Sequence, residues 1–124
     1  MDNVEQEEKV SALIKILRTS RNESSRYHAA LDLGNMGEKA ISAIPDLIES
    51  LNIDKNSLVR QGIAFSLGQM GEKAESAIPT FIELLKEEDE YLHQSVAMAL
   101  GNMGKKAEPA ITALADALES KVWY

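Results

Sequence analysis

The segment Leu33-Gly34-Asn35-Met36-Gly37-Glu38-Lys39-Ala40 returns as Leu67-Gly68-Gln69-Met70-Gly71-Glu72-Lys73-Ala74. It returns again as Leu100-Gly101-Asn102-Met103-Gly104-Lys105-Lys106-Ala107, at spacings of 34 and then 33 residues. Self-similarity at such a period predicts a stack of supersecondary units, each burying its apolar face against the next. It excludes a single irregular core. The 124 residues are one domain's worth of chain, 1–124.

Apolar residues around each copy follow helical spacing. A first helix is expected over 2–19, with Val10, Leu13, Ile14 and Leu17 as its stripe. Three helix pairs follow, at 24–52, 57–86 and 90–120, with 121–124 as a tail. The stripe Val10, Leu13, Ile14, Leu17 lies 34 residues before Ile44, Leu47, Ile48, Leu51, so the first helix has the register of a second (B) helix. The array is then one B helix, acting as an N-terminal cap, followed by three A–B hairpins. The lost residue falls at 86–90, a connector, where indels belong.

Gly34, Gly68 and Gly101 lie inside predicted A helices. An interior glycine costs about 1 kcal/mol against alanine, so its return predicts close approach of the neighbouring helix. Gly37 is placed to end its helix in the left-handed αL conformation. Pro45 is tolerated only in a first turn, which predicts a late or two-part start for the third helix.

The phase of these residues resembles HEAT repeats, most closely the short HEAT-like repeats of phycobilisome-lyase-type proteins. The residues that carry the resemblance are Arg60, Ala64, Leu67-Gly68-x-Met70-Gly71, Ala74 and Ala77-Ile78-Pro79. The first copy matches with Arg26 and Ala43-Ile44-Pro45. The third departs, with His93 for arginine and Ala110-Ile111-Thr112 for Ala-Ile-Pro. The resemblance implies an all-α, right-handed α-α superhelix of seven helices, with A helices convex and B helices lining a concave face. It says little of function, because the matching residues pack and turn.

Function is therefore sought on what the stripes leave exposed. On the B helices the columns are Lys15, Glu49, Glu83, Asp116, beside Ile16, Ser50, Leu84, Ala117 and Asp46, Thr80, Ala113. They predict an acidic ridge next to a mildly apolar strip, suited to a protein or peptide with a basic residue and an apolar anchor. The expected exposed columns of the A helices are His28, Gly62, Ser95, then Asp32, Ser66, Ala99, then Asn35, Gln69, Asn102. These small, mostly uncharged positions read as an idle face. Met36, Met70 and Met103 share the phase of the core.

Catalysis and cofactors find no support. The two histidines, His28 and His93, fall in different columns, no metal-ligand spacing appears, and cysteine is absent. No cofactor and no metal are expected, nor is an enzyme. The formal charge of −7 argues against nucleic-acid partners. The acidic, apolar-poor N-terminus and the lack of a long apolar run predict no secretory leader and no membrane partner, hence a cytoplasmic chain.

The leading expectation is a non-catalytic, protein-binding scaffold. The subgroup resemblance implies an alternative, a bilin-lyase-like enzyme or its accessory, although the chain offers no thiol to hold a bilin. A third reading is self-assembly into a homo-oligomer through the last hairpin, where Val122, Trp123 and Tyr124 are either a lid or an interface.

Overall fold

In a computed structural model the chain is a row of helical hairpins. The structure describes residues 3–122, except the side chains of Pro109, Ala113, Ala117, Leu118, Ser120, Lys121 and Val122. The helices are α1 (Asn3–Thr19), α2 (Glu23–Met36), α3 (Ile44–Ile53), α4 (Ser57–Gln69), α5 (Ile78–Leu84), α6 (Glu90–Asn102) and α7 (Ile111–Val122). No strand occurs among the described residues. The all-α stack read from the period is what forms: α1 is the lone B helix, and α2–α3, α4–α5 and α6–α7 are the A–B hairpins.

Each A helix starts on a side-chain cap. Asn22, Asn56 and Asp89 accept from the backbone N–H of Ser25, Val59 and Leu92, each at 3.0 Å. Such a cap satisfies one amide that the first turn leaves without a helical partner. The caps share the 34- and 33-residue spacing of the glycines.

Each A helix is followed by a glycine with positive φ: 57° at Gly37, and 61° at Gly71 and at Gly104. Gly37 is not in the αL well, because its ψ is −128°. A Cβ is excluded there more strictly than in αL, so the position requires glycine for a sharper reversal than the one predicted.

Pro45 is accommodated by a two-part start. The 3₁₀ segments Gly37–Ala43, Gly71–Ala77 and Gly104–Ala110 precede α3, α5 and α7. The backbone leaves helical geometry at Ala40 (φ −114°, ψ 21°) and Ala74 (φ −96°, ψ 21°). Pro45 and Pro79 then fall in the first turns of α3 and α5, where a proline removes no helical hydrogen bond.

The core runs continuously between the rows. Leu17, Leu33, Leu47, Leu51, Ile63, Leu67, Phe81 and Leu92 are almost wholly buried. A side chain of this size contributes about 1.5–3 kcal/mol on burial. Met70 and Met103 are buried and Met36 packs against the core, as their phase predicted.

The A row is the tight row. A Cβ built on Gly34 would stand 2.7 Å from Cα of Ser66, and one on Gly68 would stand 2.9 Å from Cα of Ala99. α2, α4 and α6 thus meet backbone to backbone, while α3 and α5 do not come as close.

Candidate functional site

The tight seams decide which residues of the A row stay open. Gly62, Ser66 and Ala99 are buried, because they are the small residues on which the neighbouring helix rests. The column of Asp32, Ser66 and Ala99 is thus mostly consumed by the seams, and that of His28, Gly62 and Ser95 only at Gly62, while Asn35, Gln69 and Asn102 are exposed as expected. The face beside them carries Leu31, Phe65 and Met98, one from each repeat, of which Leu31 is half-buried and the other two are exposed. Phe65 is 38% exposed and Met98 66%. Leu58 and Tyr91, related by the same repeat, are 52% and 69% exposed. Isolated exposed apolar residues are ordinary, but these recur in register along one row.

Between them lies an open groove of about 430 Å³, lined by Tyr27, Leu31, Asn35, Leu58, Gln61, Gly62, Phe65 and Ser95. Its floor depends on Gly62. A Cβ there would stand 2.8 Å from Cδ1 of Tyr27, so the glycine lets the tyrosine ring lie across α4. The ring is held on its other side by His28, edge to face at 5.3 Å. One end of the groove has a polar relay in which Gln61 Nε2 donates to Ser57 Oγ at 3.1 Å and Ser57 donates to Asp89. That hydroxyl, together with backbone amides and the nearby Arg60, holds the Asp89 carboxyl below its ordinary pKa despite partial burial.

The B-row columns are rearranged relative to expectation. Ser50 and Leu84 are each only 3% exposed, so the predicted apolar strip is not an open surface. Ser50 shares a concavity with Leu17 and Arg18 of α1. Thr80 is half-buried, while Lys15, Ile16, Glu83 and Asp116 are exposed. Asp46 and Glu49 are drawn together by Arg18, which donates to each at 2.8 Å. This clasp raises the Arg18 pKa, through Glu49 first and Asp46 second, and cancels much of the ridge's charge at that end. Glu83 pairs with Lys86 at 3.2 Å. The side chains of Ala113, Ala117 and Val122, and Trp123 and Tyr124 entirely, lie outside the described residues.

The repeated phase of Arg26 and Arg60 has a structural use. Arg26 binds both oxygens of Asp54 at 2.8 and 3.3 Å and the Ser20 carbonyl at 2.9 Å. Arg60 binds both oxygens of Glu87 at 3.0 and 2.9 Å and also the Leu51 carbonyl. Each arginine ties an A helix to the connector after its own B helix. The paired charge holds Glu87 below its ordinary pKa and raises Arg26. His93 takes this place in the third repeat, and both of its ring nitrogens are buried without a hydrogen-bond partner.

One arrangement has the look of catalytic chemistry. Ser24 Oγ lies 3.3 Å from Nδ1 of His28. The same nitrogen is 2.7 Å from the Ser24 carbonyl oxygen, which can only accept, so Nδ1 carries a proton and is no base for the hydroxyl. No group of three or more potential metal ligands is found among the described residues. No helix among them is long and apolar enough to cross a membrane.

With this geometry in place, the HEAT-repeats family matches residues 10–76 and again residues 44–124. The chain belongs to the HEAT-repeat family. The overlap of the two matches reflects the internal period, since one repeat can be counted with either neighbour. No curated protein matches the chain significantly.

Proposed function

We propose that this HEAT-repeat chain is a non-catalytic protein-docking module, and that its working surface is the A row rather than the B row. The reading rests on one observation above all. Phe65 and Met98, and Leu58 and Tyr91, put large apolar side chains into solvent in repeat register, and Leu58 and Phe65 line, with half-buried Leu31, a groove of about 430 Å³. Aromatic and aliphatic anchors of this kind dominate protein interfaces. Repeat proteins present such columns along a curved surface. The occupant is a protein or peptide with apolar anchors, and the acidic balance disfavours nucleic acid.

Capture from native extract separates the two rows. Phe65→Asp with Leu58→Asp abolishes capture while the helical signal is retained. Charge reversal at Glu49, Glu83 and Asp116 leaves capture intact. The opposite pattern would return the site to the acidic ridge of the B row. A bilin-lyase activity draws on the subgroup resemblance alone, and the groove offers no observation that favours it.

A further inference from the structure

One column of the A row repeats without a use inside the fold. In Leu33–Ala40 and its two copies the leucines, methionines and alanines pack in or against the core. The glycines serve the seams and the reversals. The lysines Lys39, Lys73 and Lys106 belong to the 3₁₀ segments. The remaining constant feature is a side-chain amide on each A helix, at Asn35, Gln69 and Asn102. All three are exposed, and none of the three side chains hydrogen-bonds to another described residue. Each follows Leu31, Phe65 or Met98 by four residues, so amide and apolar side chain share one face of the helix. Asn35 itself lines the groove beside Leu31, Leu58 and Phe65.

A side-chain amide offers an acceptor oxygen and two N–H donors. Three of them in a row suit a ligand whose main-chain groups are unpaired. An α-helical ligand has its N–H and C=O groups bonded to each other, so it would cover the amides and leave them unsatisfied. An extended ligand keeps its carbonyls free. Spacing narrows the choice further. Packed helices stand about 8–10 Å apart. A β-strand returns to the same side every two residues, about 6.6–6.8 Å, and falls out of step across three helices. A polyproline II segment returns every three residues, about 9.3 Å, and has no internal hydrogen bonds. It stays in step.

We propose, resting on the docking role of the A row, that the occupant is a proline-rich segment in polyproline II geometry with an aliphatic residue at every third position. It crosses the helices from α2 to α6. Its aliphatic side chains lie against Leu58, Phe65 and Met98. Its carbonyl oxygens accept from Asn35 Nδ2, Gln69 Nε2 and Asn102 Nδ2, one amide per turn. Proline fits for two reasons. It brings no N–H that the apolar groove would have to satisfy, and its fixed φ forms the bound geometry in advance. Exposed aromatic side chains such as Phe65 and Tyr91 are the flat surfaces on which such segments settle.

Fluorescence anisotropy with two labelled, end-blocked peptides tests this. One carries three Pro-Pro-Leu triplets. The other is an amphipathic helix former with leucines at i, i+3, i+4 and i+7. The triplet peptide binds and the helix former does not. Gln69→Glu keeps the side chain's size but replaces its donor with a carboxylate, and weakens the triplet peptide about tenfold. Gln69→Asn retains binding, since the other two repeats use the shorter amide. Gln69 is exposed, so both variants keep the urea midpoint and the effect is not loss of fold. Binding of the helix former alone would overturn the polyproline II occupant and leave the A row as the docking surface. Triplet binding indifferent to Gln69→Glu would also overturn it, as would no triplet binding even at millimolar peptide. The docking surface itself fails on a different result, capture from extract that survives Phe65→Asp with Leu58→Asp.

Discussion

Gly68 and Gly101 hold the same place in the same motif, yet one is pressed against a helix backbone, and among the described residues nothing stands within 4 Å of a Cβ on the other. The same contrast runs through the repeat: Ile78 against Ile111, Ala64 against Ala97, Phe81 against Leu114. Repeat position fixes the direction in which a side chain points. It does not fix whether anything is there to meet it. In a stack, burial is a property of the seam between units, so identical residues carry different energies in an inner unit and an outer one.

The largest effect should come from filling an inner seam. At Gly68 a side chain meets Ala99 Cα, which cannot move without shifting α6. Gly68→Leu is expected to cost about 3 kcal/mol, at the upper end for overpacking a core. Gly101→Leu, opposed by no described neighbour, should not lower the monomer's stability. Urea titrations of both variants check this, and equal losses would erase the contrast between the two faces.

The arginine column sharpens the comparison at somewhat smaller size. Arg26→Met leaves Asp54, whose side chain is only 7% exposed, without its partner. The expected loss is about 2–3 kcal/mol, the range for removing hydrogen bonds to a buried charge. His93→Met removes two buried nitrogens that have no partner, and should be neutral or raise the urea midpoint. A comparable loss in both variants would show that His93 has a partner after all.

The smallest effect is on pH dependence. Asp89 and Glu87 have folded pKa values lowered by Ser57 and Arg60 respectively. The unfolded chain therefore binds their protons first as pH falls. Their stabilisation is fully present above the ordinary carboxylate range and is lost as pH drops through the lower folded values, over about pH 5 to 3. Asp89→Asn should flatten the acid limb of a midpoint-against-pH curve. An unchanged limb would remove Asp89 from the account of the α4–α6 seam.

Much of the stack can be read from the chain because the repeat carries its own punctuation. A glycine that costs helix stability, yet recurs at 34, 68 and 101, announces close approach, and Pro45 announces a late helix start. The open face of the A row is harder to read. Apolar stripes mark the side of a helix that faces the core, but an inner helix of a stack has neighbours on two further sides. Gly62, Ser66 and Ala99 look like bland surface until the seam is known, and then their smallness is the reason they are buried. Their size was the signal that would have placed Phe65 and Met98 outward. Likewise Ser50 and Leu84 are taken into contacts that a single-helix pattern does not record. Arg18 reaches Asp46 and Glu49 across 28 and 31 residues of sequence, beyond what the local pattern records.

The most direct measurement replaces the three interior glycines with alanine, one at a time, and compares urea midpoints at concentrations where the chain is monomeric. Alanine gains about 1 kcal/mol over glycine in a helix interior when nothing opposes its methyl group. The packing predicts that Gly101→Ala realises this gain and raises the midpoint. Gly34→Ala and Gly68→Ala should lower it, because their methyl groups would stand 2.7 and 2.9 Å from a neighbouring Cα. Three shifts of the same sign would contradict the account, because the three copies of the motif would then share one environment.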